Sequence, residues 1–422
     1  MENTAVSLLQ AHTRPTLAYK AIPETLRGRG ESVGAIYLHI PFCTYKCDYC
    51  DFYSLAGHQD QFARYVACIA QQMEAESRFF GPLSPETIFI GGGTPTLLPP
   101  ENLQQLMNAI RGWVGFARLV EFTVESNPNT FDAQRAHILA SSGVNRISFG
   151  AQSFNPAELK MLNRDHAPEN VGRAVELARA AGITNINVDL IYAIPGQSTA
   201  SLENNLQKTI ELGCPHISCY GLMYEPNTPM TARLRQGRLT PVAENLELEM
   251  MELVALHLRR AGFARYEISN WCQPAMECRH NLNYWMGADH LAWGASAAAH
   301  HSGTRWKCVS SMQRYCDAME AGVGAPVTEL ETLAGARRWA ELAVLQLRLA
   351  CGIDVPTFNA RTGMNLMNCL RPTLKKYDGL GVLRITDDAI SLTDAGVAVS
   401  DTIFADIFAA VAAARGAAGS GG

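Results

Sequence analysis

The chain has 422 residues, of which 47% are hydrophobic, and a formal net charge of −5. This length and composition are those of an ordinary globular protein with two or more domains, and the absence of a basic excess argues against a nucleic-acid partner. The first 30 residues contain no apolar core behind a basic start, and no run of about 18 apolar residues occurs, so neither a secretory signal nor a membrane span is expected. We therefore expect a cytoplasmic protein and leave open a peripheral association with a membrane.

Residues 1–34 precede the first predicted strand and are expected to form a partly disordered extension. Strands are predicted at AIYLHI from residue 35, TIFIGGG from 87, LVEFTVES from 119, RISFGAQ from 146, NINVDLIY from 185 and ISCYGLMY from 217. The stretches between them have apolar residues at three- and four-residue spacing, which predicts helices. Alternating strands and helices predict an α/β fold with a parallel sheet, here a partial (β/α)6 TIM-like barrel over residues 35–235.

The regular alternation of strands and helices ends after the sixth strand. Residues 236–330 are predicted to form an α/β extension that begins with a long helix in AENLELEMMELVALHLRRAG. Residues 331–410 show three helices and then a hairpin within VLRITDDAISLTDAGVAVSDTIF, an order typical of a winged-helix-like domain. This segment has 8 Lys and Arg against 9 Asp and Glu, which favours packing or docking over DNA binding. Residues 411–422 are predicted to be a disordered tail.

Three cysteines follow the first strand in CTYKCDYCDFYS, at positions 43, 47 and 50. Clustered thiols in a reducing compartment favour a metal site over disulfides, and sulfur ligands suit zinc or an iron–sulfur cluster. A structural zinc site needs four protein ligands, and only His39 or His58 could supply the fourth. A 4Fe-4S cluster on Cys43, Cys47 and Cys50 instead leaves one iron open for an exchangeable ligand. We favour the cluster.

CxxxCxxC after the first strand, together with GGGTPT after the second, resembles the radical S-adenosylmethionine (SAM) superfamily. In that superfamily the open iron binds the amino and carboxylate groups of SAM, and an electron from the cluster cleaves the sulfonium to a 5′-deoxyadenosyl radical. A glycine loop fits this role because backbone amides approach a ligand closely where no Cβ intervenes. The resemblance implies a 4Fe-4S cluster and SAM as cofactors, and an electron donor as a partner.

YLHIPFCTYKCDYCDF, IFIGGGTPT, ESNP, RISFGAQSF, LNRDH and NVDLIYAIPGQ together resemble the HemN/HemW branch of this superfamily, across about residues 35 to 300. Matched one by one, the resemblance implies SAM contacts from Tyr37, Gly92, Gly93, Thr94, Glu125, Gln152, Arg164 and Asp189. Glu125 is expected to accept from the ribose hydroxyls, and Arg164 to face the SAM carboxylate. Without the resemblance, each of these would be a satisfied polar residue at the end of a strand.

Two features separate the subgroups of this branch. The oxygen-independent coproporphyrinogen oxidases resemble CxxxCxxCxC, so their fourth cysteine falls where this chain has Phe52. Their N-terminal substrate segment is not recognisable in residues 1–34. The segment HNLNYW from residue 280 resembles the HNxxYW motif of the heme chaperones, HemW. His280 is therefore the candidate heme ligand, since neutral imidazole is a common ligand of heme iron. The same segment could instead cap a strand and fill the barrel mouth.

The resemblance implies a heme chaperone, which binds heme and delivers it to recipient heme proteins such as apo-cytochromes or membrane respiratory enzymes. The alternative is a radical SAM enzyme acting on a tetrapyrrole, either an oxygen-independent coproporphyrinogen III oxidase or a heme-degrading methyltransferase. Whether the chain is an enzyme thus stays open, with the chaperone favoured. Homodimerisation is known of the family that this chain resembles, although no residue of this chain indicates it.

Overall fold

The computed structural model describes residues 22–413. The predictions for residues 1–21 and 414–422, most of the N-terminal extension and of the tail, lie outside the described residues. Residues 22–34 contain two single turns of 3-10 helix, Glu24–Leu26 and Gly30–Ser32. None of the described helices combines the length and the apolar character needed to cross a membrane.

The first half of the chain alternates strands and helices as predicted. Its strands are β1 (Ala35–Ile40), β2 (Phe42–Cys43), β3 (Leu55–Ala56), β4 (Thr87–Gly92), β5 (Glu121–Ser126), β6 (Arg146–Gln152), β7 (Asn185–Tyr192) and β8 (His216–Gly221). Its helices are α1 (Phe62–Phe80), α2 (Pro100–Trp113), α3 (Ala133–Ser141), α4 (Pro156–Met161), α5 (Glu169–Ala180) and α6 (Thr199–Glu211). The six predicted strands are confirmed, whereas α4 was not predicted.

The second half extends the sheet and adds a helical unit. Its helices are α7 (Pro229–Arg235), α8 (Glu244–Arg260), α9 (Arg279–Trp285), α10 (Met312–Glu320), α11 (Gly335–Leu347), α12 (Val355–Thr362), α13 (Leu366–Tyr377), α14 (Asp394–Ala398) and α15 (Ser400–Ala413). Its strands are β9 (Ala264–Arg265), β10 (Asn270–Cys272), β11 (His290–Trp293), β12 (Ala298–His301), β13 (Thr304–Cys308), β14 (Val327–Thr332), β15 (Ile353–Asp354), β16 (Leu383–Ile385) and β17 (Ala389–Leu392). The long helix predicted at the start of this half is α8.

One twelve-stranded sheet contains the barrel, in the order β14-β13-β12-β11-β1-β4-β5-β6-β7-β8-β10-β9. The six predicted strands lie side by side in chain order and are parallel, as expected when a helix returns the chain to the same end of the sheet each time. The wall does not close, because β8 pairs with the antiparallel β10 and β1 with β11. This arrangement confirms the partial barrel.

The parallel strands have one apolar and one polar face. On β6, Ile147 and Phe149 are fully buried in the core between the sheet and its helices. Arg146 and Ser148, at the alternate positions, face a cavity inside the barrel. Because successive side chains of a strand point to opposite faces, this alternation encloses a polar cavity where a closed TIM barrel has packed layers of branched apolar side chains.

The residues from α11 to α15 enclose an apolar core of their own, in which α11 and α15 pack together beside a three-stranded sheet of order β15-β17-β16. The predicted order of three helices and a hairpin is confirmed, and Asp387 and Asp388 lie in the turn between β16 and β17. The hairpin ends at Leu392, earlier than the predicted segment. The chain then forms α14 and α15, since apolar residues such as Ile403 and Ile407 recur at helical spacing and are buried.

Candidate functional site

The three cysteines lie on the loop around β2 and β3, at the carboxyl ends of the parallel strands. Cys43, Cys47 and Cys50 line one cavity together with the glycines of β4 and polar residues of β5, β6 and β7. All three are free thiols, with Cys47 buried and the other two partly exposed. Burial raises the pKa of Cys43 and raises that of Cys50 to about 11, and the neighbouring Cys47 adds to both shifts. Bound iron would supply the positive charge that ionises such thiols.

A single metal ion and a cluster place different demands on these thiols. Within residues 22–413, no three His, Cys, Asp or Glu side chains converge on the position of one metal ion. One zinc ion would hold its sulfur ligands about 4 Å apart, whereas cysteines that bind three different irons of one cluster lie farther apart. His39, considered as a fourth ligand, has its ring nitrogens 3.0 Å from the Tyr37 hydroxyl and 2.8 Å from the Tyr53 carbonyl oxygen. His58 is exposed.

The end of β4 lies directly against the cysteine loop because it has no side chains. A Cβ on Gly93 would lie 2.6 Å from the carbonyl oxygen of Phe42, closer than real Cβ atoms approach backbone. Gly92 has a φ of +109°, which a residue with a side chain rarely adopts. The Thr94 hydroxyl, next in the chain, lies 3.7 Å from the sulfur of Cys43. A ligand at the cysteines would therefore contact backbone here.

Two carboxyl groups face the same cavity from β5 and β7. Glu125 accepts a hydrogen bond of 3.0 Å from the amide of Gly92, and burial, assisted by the charge of Asp189, raises its pKa to about 7. Asp189 accepts hydrogen bonds from Asn187 at 2.7 Å and from Ser148 at 3.2 Å, and burial raises its pKa as well. Both groups are acceptors in a water-poor site, which suits them to bind hydroxyl groups.

A bulge in β6 turns Gln152 toward this cavity. The pairing with β7 shifts register between Gly150 and Gln152, and Gln152 has a φ of +66°. Arg164, after α4, donates to the carbonyl of Gly150 at 2.6 Å and to the sulfur of Cys47 at 3.5 Å. The Nε of Arg164 is buried without a partner. A strained residue and an unsatisfied buried donor at one cavity are features of a ligand site.

The structure thus brings most of the residues predicted to contact SAM to one place. Seven of the eight line the cysteine cavity, namely Gly92, Gly93, Thr94, Glu125, Gln152, Arg164 and Asp189. Tyr37 does not line it; its ring lies 6.2 Å from that of Phe89 and its hydroxyl contacts His39. Tyr45, Tyr49 and Asn127 also line the cavity and were not predicted. The tyrosines within CTYKCDYC were the available signal, since aromatic residues in a cluster loop flank the site.

A larger cavity of about 500 Å³ continues from this site into the barrel, within the size range of ligand pockets. It shares Cys50, Glu125 and Asp189 with the cysteine cavity. Deeper in the barrel its lining consists of Phe89, Arg146, Asn187, Ser218 and Asn281. Arg146 was not predicted from the sequence, although its alternation with apolar residues in RISFG places it on the polar face of its strand.

Helix α9 carries His280 and closes the opposite, amino end of the strands. The amide of His280 donates to the buried carboxylate of Glu121 at 3.0 Å, which fixes the start of the helix. Its Nδ1 lies 2.8 Å from the Thr87 hydroxyl and its Nε2 2.9 Å from the Tyr284 hydroxyl. The side chain is 1% exposed, and burial lowers its pKa well below the ordinary value, so the imidazole is neutral. The structure therefore keeps His280 apart from the cysteine cavity and engages both ring nitrogens.

Comparison with known proteins identifies two family matches and several relatives that match over most of the chain. Residues 37–208 match the Radical SAM superfamily, and residues 333–399 match the HemN C-terminal domain. A protein of Bacillus subtilis named heme chaperone HemW is 34% identical over 369 residues, 87% of this chain and 97% of that protein. The protein of the same name from Mycobacterium tuberculosis is 32% identical over 92% of this chain and 98% of its own length.

Among solved structures, the coproporphyrinogen III oxidase HemN of Escherichia coli, described as a radical SAM enzyme, matches with a TM-score of 0.80. The match covers 91% of this chain and 92% of that one. Its sequence identity is 20%, so the likeness shows a shared fold.

Proposed function

The chain belongs to the HemW family of radical SAM proteins, and on that premise we propose that it is a heme chaperone, which binds heme and delivers it to recipient heme proteins. The recipients are apo-cytochromes or respiratory enzymes. Cys43, Cys47 and Cys50 hold a 4Fe-4S cluster. The seven residues of the cysteine cavity that were predicted to contact SAM bind it, with Tyr37 beside them. The observation that carries the heme part is a neutral, buried imidazole, His280, in a motif shared with heme chaperones.

Different residues of the cavity bind different parts of SAM. The bare backbone at Gly92 and Gly93 allows the methionine end to approach the cysteine loop, and the unsatisfied Nε of Arg164 is available to its carboxylate. Glu125 accepts from the ribose hydroxyls. A cluster with SAM on its open iron supplies one-electron chemistry at the sulfonium when it is reduced. A chaperone uses this assembly without requiring that SAM be consumed.

His280 is suited to bind iron through Nε2. When Nδ1 carries the proton and donates it to the hydroxyl of Thr87, Nε2 is left as an acceptor. Metal-bound histidines commonly have such a hydrogen bond on their second nitrogen, which fixes both tautomer and ring orientation. The low pKa keeps the imidazole in the neutral form that binds metal.

The test compares two buried histidines. The full-length protein is purified without oxygen, its cluster is reconstituted, and hemin is titrated while the Soret band is recorded. We expect His280→Ala to weaken hemin binding at least tenfold. His216→Ala is the matched control, because His216 is also fully buried and its Nε2 lies 3.0 Å from a tyrosine hydroxyl, that of Tyr266. Equal losses in both variants would reject His280 as the ligand.

A second assay separates the chaperone from an enzyme acting on a tetrapyrrole. The reconstituted protein is given reductant and SAM with either coproporphyrinogen III or heme, and 5′-deoxyadenosine and the mass of the porphyrin are followed. A chaperone leaves the heme unchanged and transfers it to an apo-form b-type cytochrome domain. Repeated turnover with a changed porphyrin mass would reject the chaperone in favour of the enzyme.

A further inference from the structure

Arg146 is a fully buried guanidinium that faces the barrel cavity. It is the first residue of β6, is 2% exposed, and lines the cavity of about 500 Å³ below the cysteine site. Its Nε has no hydrogen-bond partner. Arginine is almost never fully buried unless it is paired, because an unpaired charge in a low-dielectric site is costly. The position of Arg146 therefore calls for a ligand.

The acidic groups around Arg146 are occupied elsewhere. Glu121 accepts from the amide of His280 at 3.0 Å, and Asp189 accepts from Asn187 at 2.7 Å. Burial alone would lower the pKa of Arg146, but the nearby acidic groups Cys278, Glu121, Tyr266 and Asp189 raise it on balance, Cys278 most. Arg146 is thus held charged while its hydrogen-bonding capacity is not used up.

The same cavity also has four carboxyl groups, Asp51, Glu125, Asp189 and Glu225, besides apolar and uncharged lining. Phe89, Ile191 and Leu222 contribute apolar surface, and Asn281 contributes an uncharged polar group. At the outer end of the cavity, Phe52 and Met223 line it while remaining 66% exposed, so apolar surface continues to the opening. Since Arg146 is the cationic side chain of this lining, a ligand that binds beside it has a carboxylate for the guanidinium and an apolar body for Phe89, Ile191 and Leu222.

We propose that Arg146 binds a propionate carboxylate of a tetrapyrrole held in the barrel cavity. The inference rests on the proposed function, because it takes a tetrapyrrole as the ligand, but it does not require His280 to be the iron ligand. The contact is a charge-assisted hydrogen bond from the guanidinium to a carboxylate oxygen.

The other available carboxylate is that of SAM, which belongs at the opposite end of the strand. Arg164, the arginine beside Cys47, lies next to the bulge at Gln152. Arg146 and Gln152 are the two ends of β6, and at a rise of about 3.3 Å per residue they are about 20 Å apart. A carboxylate bound near the cysteines is therefore out of reach of Arg146.

The experiment compares two ligands, with and without free carboxylates, in two proteins, with and without Arg146. Protoporphyrin IX and its dimethyl ester are titrated, by porphyrin fluorescence, into the full-length reconstituted wild-type protein and into Arg146→Gln. The iron-free ring removes any contribution from an axial ligand. We expect the wild type to bind the free acid about 10- to 100-fold more tightly than the ester. Arg146→Gln should bind the acid as weakly as the ester and leave the affinity for the ester unchanged.

Other outcomes overturn the inference. A wild-type protein that does not distinguish acid from ester has no propionate contact, and a variant that weakens both ligands equally has only lost structure. If SAM binding falls in Arg146→Gln while porphyrin binding does not, the residue serves SAM. Iron and sulfide content and the melting temperature report folding of the variant. Should Arg146→Gln not fold, the ratio of the affinities for the free acid and the ester, measured in the wild type and in Arg146→Lys, still tests the propionate contact.

The same titrations separate this inference from the proposed function. Binding of hemin and porphyrin without acid–ester discrimination rejects the role of Arg146 and leaves the chaperone proposal standing. Failure of hemin and of both porphyrins to bind rejects the two proposals together. Loss of hemin affinity in His280→Ala with intact acid–ester discrimination supports both residues in their separate roles.

Discussion

The hydroxyl of Tyr284 lies 2.9 Å from Nε2 of His280, on the nitrogen that remains an acceptor when Nδ1 donates to Thr87. That hydroxyl occupies the position that a metal on Nε2 would take. Both side chains belong to α9, one helical turn apart, so this hydrogen bond lies within a single helix. Heme binding through His280 therefore requires this hydrogen bond to break.

Tyr284→Phe should strengthen hemin binding by about 2- to 10-fold, because a net hydrogen bond of roughly 0.5 to 1.5 kcal/mol no longer has to be broken. The measurement is a Soret titration of the reconstituted protein. Tyr377→Phe is the control, since it removes a hydroxyl that bonds Asp406 at 2.5 Å in the C-terminal unit. Weaker hemin binding in Tyr284→Phe would mean that the hydroxyl supports the bound state instead.

Gly93→Ala should abolish assembly of the cluster site. The added Cβ would lie 2.6 Å from the carbonyl oxygen of Phe42, and both backbones would have to separate just where β4 meets the cysteine loop. Iron and sulfide content after reconstitution measures the effect. Gly112→Ala, in α2, meets nothing within 4 Å and should keep full iron content with a stability gain of about 0.5 to 1 kcal/mol. Normal iron content in Gly93→Ala would show that the loop tolerates the shift.

The affinity for SAM should rise between pH 6 and pH 8. Burial raises the pKa of Glu125 to about 7, so the carboxylate that we propose accepts from the ribose hydroxyls forms across this interval. Calorimetric titration of SAM at several pH values measures the trend. Glu125→Gln should bind SAM more weakly at pH 8, with a flatter pH profile. A wild-type profile without slope would separate Glu125 from the ribose.

The buried carboxyl of Glu76 should make stability fall as pH rises. Glu76 accepts from Gln72 at 2.7 Å and from the indole of Trp293 at 3.0 Å, and burial raises its pKa from 4.5 to about 7. Between these values the folded state holds a proton that the unfolded chain has released. The free energy of unfolding therefore decreases through this window, by about 3 kcal/mol from this group.

Denaturant unfolding at pH 5 and pH 8 tests this expectation. Glu76→Gln should lose less stability than the wild type over that interval, since the amide does not titrate. Glu74→Gln is the matched control on the same helix, where the partly exposed Glu74 pairs with Arg78. The control should follow the wild-type pH dependence, and identical slopes in all three proteins would contradict the assignment to Glu76.

The six strands and the helices between them could be read from the sequence because their signals are local. Alternation and helical spacing repeat within each segment, and glycine or polar residues mark where each one ends. Parallel pairing then brings the carboxyl ends of all the strands to one edge, where the cysteines and the glycines of β4 meet, whereas Glu125 and Asp189 were assigned to that site from the family resemblance.

What only the tertiary structure decided is what fills the barrel and what closes it. Thr87 and His280 are 193 residues apart in the chain, and nothing within HNLNYW indicates that α9 packs under β4 and buries both ring nitrogens. Arg146 carries the same local pattern whether its strand faces solvent, another layer or a cavity. Curvature of the whole sheet makes that face an interior, because the orientation of a strand face is set by contacts between distant segments rather than by the residues beside it.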